Sequence, residues 1–281
     1  MRNKQHADYQ VVPYPKLRRL LAVMLHALQR KPMMHFLLEV DVTRARQYMR
    51  EYKATTGEAL SFTAFLIACL AKAVDEHKAV QAYRKGSKHL VLFEDVDVET
   101  QIEREVAGQK QNITYIIRAA SKKTFREIHH EIRAAQVEDV AKARVGSKAL
   151  QWFLFLPTLL FRFLYGMRGP QVLKKYAGTV GTAAVGMFED GAGWAIPLGH
   201  PQTLMMTVGG IGLKPGVVDE SISIREYLSL TISLDHEIID GAPTARFTRR
   251  LKELIEGGYG LIEQEGVQEE VSRWSKSQTG P

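Results

Sequence analysis

His236 and Asp240 stand four residues apart in the run His236-Glu237-Ile238-Ile239-Asp240-Gly241. An unperturbed imidazole titrates at about pH 6.5, so it suits a general base that must take and return a proton near neutrality. A carboxylate four residues on can restrain that ring or cap a helix that starts there. Other chemistry-bearing residues give weaker patterns. His129 and His130 are sequence neighbours on an expected helix and point to different sides, which argues against a shared metal. Gly209-Gly210-Ile211-Gly212 lacks the Lys-Ser/Thr ending of a phosphate loop and reads as a turn between strands. His200, between Gly199 and Pro201, reads as turn punctuation. Cys69, the one cysteine, lies in an apolar run and reads as a small buried hydrophobe, which leaves no thiolate metal cage and no internal disulfide.

The elements that must position His236 follow from periodicity. Leu228 to Leu234 alternates strictly, which predicts a half-buried strand with Ser229, Thr231 and Ser233 on one face. Asp240 then opens a helix, with Pro243 tolerated in its first turn and Gly257-Gly258 at its end. Upstream, Leu17, Leu20, Leu21, Met24, Leu25 and Leu28 recur at helical spacing, and Pro32 ends that helix. Residues 35–42 read as a strand, after which Thr43 can cap the next helix. Ser61 precedes a nearly all-apolar helix through about Val74, the expected central one. Strands are expected near 89–101, 112–118, 178–186 and 203–209, with a charged amphipathic helix from about 123 to 145. The whole reads as mixed α/β, with a flexible segment over 1–12, one domain over 13–258 and a polar tail over 259–281.

At 45% hydrophobic and 25% charged, the 281 residues have a globular composition, which excludes disorder or a fibrous repeat for the chain as a whole. Thirty-eight Lys and Arg against 31 Asp and Glu give +7, but the basic residues are spread along the chain and no nucleic-acid-binding pattern accompanies them. No apolar leader is visible at the start, and a cytoplasmic setting fits. Residues 149–168 are rich in Leu, Phe and Trp with basic flanks. Gln151, Pro157 and Arg162 argue against a membrane span, leaving a buried or interface helix, or one lying in a membrane surface.

The run HEIIDGAPTARFTRRLKELIE resembles the His-x-x-x-Asp-Gly signature and following helix of the acyltransferase component of 2-oxo acid dehydrogenase complexes, whose fold chloramphenicol acetyltransferase shares. The resemblance continues in order upstream. PYPKLRRLLAVML is similar to the family's opening arginine-bearing helix, EVDVTRARQYMREYK to its first strand and helix, and ALSFTAFLIACLAKAV to its buried helix. GTVGTAAVGMF is similar to its Gly-Thr-rich strand, and WAIPLGHPQTLMMTVGGI to the segment before the histidine strand. Together these landmarks cover roughly residues 13–256.

The resemblance implies a chloramphenicol acetyltransferase-like mixed sheet flanked by helices, and acyl transfer between a thiol and coenzyme A, which acts as a substrate. It implies His236 as base, Asp240 as a structural partner of Arg18, and a homotrimer or a multiple of it with the site at a subunit boundary. Where the family supplies a Ser or Thr hydroxyl for the oxyanion, this chain has Ala183 followed by Ala184. Thr182 is the neighbouring hydroxyl, although a one-residue shift turns it to the opposite face. No lipoyl-bearing domain is apparent, so an acyl-CoA or acyl-lipoyl donor is expected in trans. VETQIEREVAGQKQNITYII replaces the family's Gly-Leu-Val-Val-Pro-like strand with a polar turn. The rival expectations are a catalytically silent trimeric scaffold, for which Ala183-Ala184 speaks, and a membrane-surface adaptor using residues 149–168.

Overall fold

The structure, a computed structural model, describes residues 31–106, 109–137, 169–185 and 191–261, with 11–15 and positions 18, 22, 25, 26 and 28. The segment 149–168 lies outside the described residues, as does most of the expected polar tail. Among the described residues no helix is long and apolar enough to cross a membrane.

In chain order the elements are β1 (Met33–Asp41), α1 (Thr43–Thr56), α2 (Phe62–Glu76), β2 (Tyr83–Lys85), β3 (His89–Val91), β4 (Val98–Val106) and β5 (Gln109–Ile117). They continue with α3 (Phe125–Val137), α4 (Pro170–Ala177), β6 (Val180–Ala184), β7 (Leu204–Val218), β8 (Ser221–Asp235) and α5 (Gly241–Gly257). Six strands form one mixed sheet in the order β1-β8-β7-β6-β4-β5, and β2 and β3 form a separate hairpin. The pairs β7/β6 and β6/β4 are parallel and the others antiparallel. This is the mixed α/β class that the sequence predicts.

The core lies between this sheet and the helices. Leu228, Leu230, Ile232 and Leu234 of β8 join Leu204 and Met206 of β7, Val180 of β6 and Val98 of β4 in one buried apolar cluster. Phe65, Leu66, Ile67 and Leu70 of α2 pack into the same cluster, with Phe247 and Leu251 of α5. The side-chain oxygen of Ser61, the residue that precedes α2, accepts the Ala64 N–H at 3.2 Å and so caps the helix.

Several expectations are corrected. Strand β8 is buried on both faces at its C-terminal end, since Ser229, Thr231 and Ser233 are as enclosed as the leucines between them. Thr43 is the first residue of α1 rather than its cap. The Asp41 carboxylate accepts both the Thr43 N–H (2.9 Å) and its hydroxyl (2.6 Å). The polar stretch after Val98 folds as the long β4–β5 hairpin.

Gly209-Gly210 is no turn. It lies inside the 15-residue strand β7, where the register shifts between Val208 and Ile211. A Cβ on Gly209 would sit 2.1 Å from the Gly193 carbonyl oxygen, and one on Gly210 would sit 1.8 Å from that of Gly191. The bulge and its missing side chains let the 191–193 backbone lie against the strand, with Gly210 N–H donating to the Gly193 oxygen at 3.0 Å.

Beyond the bulge, β7 and β8 run on as a two-stranded arm. Pro215 faces Ile224 and Val217 faces Ile222, which puts these residues and Leu213 on one side of the ribbon. Leu213, Val217, Ile222 and Ile224 are all strongly exposed.

Candidate functional site

β8 delivers His236 to a turn that is held from several directions. Asp235 N–H donates to the Thr203 carbonyl and His236 N–H to the Pro32 carbonyl, both at 2.9 Å. Asp235 Oδ1 accepts the Glu237 N–H at 3.1 Å, which bends the chain sharply. The backbone oxygen of Asp235 accepts from Ile238 and Ile239 at 3.1 and 3.2 Å. Lys31 cross-braces the arrangement, donating to the carbonyls of Pro201 (3.0 Å) and Gln202 (3.3 Å) and pairing with Asp235 Oδ2 at 3.4 Å. Burial lowers the Lys31 pKa, against the pull of the Asp235 carboxylate. On the far side, Arg84 of β2 pairs with Glu237 at 2.7 Å.

The backbone is therefore fixed while the imidazole stays accessible, with 47% of its side chain exposed in one chain. His236 Nδ1 lies 3.8 Å from Asp240 Oδ1, inside ion-pair range but beyond a hydrogen bond. Beside the turn a cavity of about 510 Å3 opens between Lys31, the β2–β3 hairpin at Arg84 and Ser87, and Asp235, Glu237 and Ile238; His236 is not among its lining residues.

Asp240 takes the N-cap position of α5 by backbone geometry, but its side chain makes no capping hydrogen bond. Thr244 instead returns its N–H (3.2 Å) and hydroxyl (2.8 Å) to the Asp240 carbonyl. The expected side-chain cap is thus absent, and the carboxylate is 87% exposed in one chain. Arg18 is likewise exposed, and among the described residues no ion pair joins it to Asp240.

Thr182 and Ala183 separate as strand alternation requires. Thr182 faces the helices, where its hydroxyl donates to the Glu99 carbonyl at 3.0 Å, so it is not free to serve an oxyanion on the other face. Ala183 points to that other face, in register with Thr207 of β7, which is in register with Thr231 of β8. On the same face Glu99, paired with Gly181, is held by the Gln202 amide, and burial raises its pKa. Ser233 Oγ meets His35 Nδ1 at 2.8 Å.

The remaining candidates are structural. Glu58, His129 and His130 bring one ligand atom each within 4.8 Å of one another, so the two histidines do converge, contrary to the helix-geometry expectation. The Ser61 N–H, however, donates to His129 Nδ1 at 3.1 Å. Nε2 must then carry the proton that meets Glu58 Oε1 at 3.0 Å, and a metal there would need an imidazolate. His200 is more than punctuation. It is buried, and desolvation together with the nearby Lys31 ammonium pushes its pKa down to about 3. Cys69 is fully buried, and burial pushes its thiol pKa up, which leaves it unreactive.

A family model described as 2-oxoacid dehydrogenases acyltransferase (catalytic domain) matches residues 6–149 and 177–262. The lipoamide acyltransferase component of the branched-chain alpha-keto acid dehydrogenase complex of Bacillus subtilis is 26% identical over 225 residues, which is 78% of this chain and 46% of that protein. The chain spans about half the length of the curated relatives it matches. Among solved structures, a probable dihydrolipoamide acetyltransferase from Listeria monocytogenes superimposes with a TM-score of 0.64 at 22% identity, covering 89% of this chain and 96% of that one. The dihydrolipoamide acetyltransferase of Azotobacter vinelandii superimposes with a TM-score of 0.66 at 19% identity, covering 92% and 95%. At these identities the two structures establish the fold.

Proposed function

Because the chain belongs to the 2-oxoacid dehydrogenase acyltransferase (catalytic domain) family, we propose that it moves an acyl group between a thiol and coenzyme A with His236 as general base. The observation that carries this reading is the placement of His236, an accessible imidazole on a backbone braced by Pro32, Thr203 and Asp235. In the Azotobacter enzyme a serine, a histidine and an asparagine four positions after it have been investigated for their roles in the catalytic mechanism. By the same four-residue spacing, we match that histidine to His236 and that asparagine to Asp240.

With Nδ1 turned toward Asp240, Nε2 is the nitrogen that takes the proton from the attacking thiol. The thiolate then adds to the thioester carbonyl, and the tetrahedral intermediate collapses as the departing sulfur takes the proton back. The Asp240 carboxylate favours the imidazolium formed in between. Arg18, unpaired with Asp240 inside one chain, would meet it in the assembled protein. The acyl donor is an acyl-CoA or an acyl-lipoyl group carried by another protein, and residues 13–258 carry the activity.

The working unit is a homotrimer or a multiple of it. Thr231 lies four residues before the end of β8 at Asp235, so about 13 Å of strand separates it from the turn that carries His236, and Ala183 is two strands further across the sheet. A second copy must bring the two together.

Replacing His236 by Ala should lower transfer from acetyl-CoA to dihydrolipoamide by about 10²–10⁴ without unfolding the protein. Unchanged turnover would remove the assignment. The second reading, a silent scaffold of the same fold, is favoured by Ala183, which puts no hydroxyl where the resemblance calls for one. Absence of coenzyme A binding in a folded trimer would select it.

A further inference from the structure

Among the described residues, two buried hydroxyls on the sheet have no hydrogen-bond partner: Thr207 Oγ1 on β7 and Thr231 Oγ1 on β8. Their residues are 3% and 0% exposed. A buried polar atom left unpaired costs free energy, and few such atoms persist in a folded protein without a reason. These two are not scattered. Ala183, Thr207 and Thr231 are register partners on three adjacent strands, so they form one row on the face opposite the helices. The row begins at the residue whose hydroxyl is missing. Neighbouring strands are about 4.8 Å apart, so a hydroxyl on Thr207 lies one strand spacing from where a serine at 183 would place its own. Ala183 itself is small and partly exposed, and its side chain ends at Cβ.

The other polar groups nearby are committed. Thr182 turns away and bonds to the Glu99 carbonyl. The Glu99 carboxyl is held by Gln202. Ser233 is bonded to His35. Among the described residues, Thr207 is the register partner of Ala183, and its hydroxyl still has a hydrogen to give.

We propose that Thr207 supplies the oxyanion hydrogen bond that Ala183 cannot, its orphaned hydroxyl being moved one strand across the sheet from the position the resemblance implies. This rests on the acyltransferase reading above. When the thiolate sulfur bonds to the thioester carbon, the carbonyl π pair moves onto oxygen, and Thr207 Oγ1–H donates to that oxygen. The pair returns as the departing carbon–sulfur bond breaks, and the leaving thiolate takes its proton from His236. The Thr207 proton is shared throughout and never transferred. The thiol side of the reaction comes from the His236 of another copy, and Thr231 stands behind Thr207 as its positioning neighbour.

The test is Thr207→Val, which removes the oxygen and keeps the β-branched shape. With acetyl-CoA and dihydrolipoamide, kcat should fall by about 10²–10³ while KM and coenzyme A binding change by less than about threefold. Thr207→Ser should keep most of the activity. Adding Ala183→Ser to Thr207→Val should restore it, because the hydroxyl then returns at the neighbouring strand. The melting temperature of Thr207→Val should hold or rise, because a buried unpaired hydroxyl has been removed. Full activity in Thr207→Val, with Thr207→Ser also active and His236→Ala dead, overturns the proposal and leaves the acyltransferase reading standing. A lowered melting temperature with activity that Ala183→Ser does not restore also overturns it, since the hydroxyl is then structural. Wild-type protein that neither binds coenzyme A nor transfers acyl groups refutes the acyltransferase reading, and this proposal with it.

Discussion

A histidine at the end of a strand is useful only if its backbone is held, and the groups that hold His236 come from far away in sequence. Lys31 is the clearest case. It ties the turn to Pro201 and Gln202 and neutralises Asp235, whose side chain is 4% exposed. Lys31→Met should therefore destabilise the fold by about 3 kcal/mol, since it leaves a buried carboxylate unpaired, and denaturant titration would measure the loss. Asp240→Ala should behave in the opposite way. Its side chain caps nothing and is solvent-exposed in one chain, so the monomer's stability should change by less than about 0.5 kcal/mol while acyl transfer falls. A large stability loss measured on dissociated protein would show a contact that the single chain lacks. His200 gives a pH dependence. Its folded pKa is lowered to about 3, so the unfolded state binds the extra proton, and the contribution to stability is complete above about pH 6.5. It is lost as the pH falls from there toward 3, by up to about 1.4 kcal/mol per pH unit. His200→Phe should flatten that limb of a stability–pH curve. His236 and Asp240 were legible in the sequence because their spacing is local. Lys31, Thr207 and the burial of His200 were not, because each acquires its meaning from a strand or loop that sequence order does not place beside it.

At the scale of elements, the legible features were those set by short-range periodicity. The apolar run of α2 with Ser61 at its start, the strand before His236 and the helix after Asp240 all appear where periodicity puts them, although that strand is buried on both faces rather than half-buried. The caps were harder, because Thr43 and Asp41 are both good capping residues, yet Val42 holds the N-cap position of α1 and the Asp41 carboxylate meets the Thr43 N–H and hydroxyl instead. Glycines misled for a similar reason. Gly-Gly-x-Gly is turn-like in isolation, but here the 191–193 backbone needs the bare surface of β7. Gly210→Ala should therefore force that segment off the strand. We expect a loss of about 1–3 kcal/mol in thermal unfolding and new proteolytic cleavage near residue 191. An unchanged melting temperature would mean that the loop does not need the bulge.

At the scale of the molecule, the fold class and a site at a subunit boundary were both implied by the resemblance that five ordered landmarks carry, whereas the distance between His236 and the Ala183 row within one chain was not legible from any of them. His236 and the Ala183–Thr207–Thr231 row lie on one strand system yet too far apart to act on one carbonyl. If each copy supplies one half, inactive variants should rescue each other. Mixing His236→Ala with Thr207→Val under conditions that exchange subunits should regenerate boundaries carrying both intact halves. Activity should then rise at least about fivefold above either parent if each parent retains about 10⁻² of wild-type activity. No recovery, with exchange verified by mass spectrometry, would place the whole site in one chain.

The β7–β8 arm has a consequence for how the protein must be made. Leu213, Val217, Ile222 and Ile224 form an apolar stripe on a projecting ribbon, exposed in one chain. A newly synthesised copy that folds before meeting another would present this sticky, strand-shaped surface to every other nascent chain. Its yield should then depend on how quickly copies find each other. At low expression the ribbon would have to be sheltered by a chaperone. At high expression, wrong encounters would compete with right ones and the polypeptide would collect in inclusion bodies.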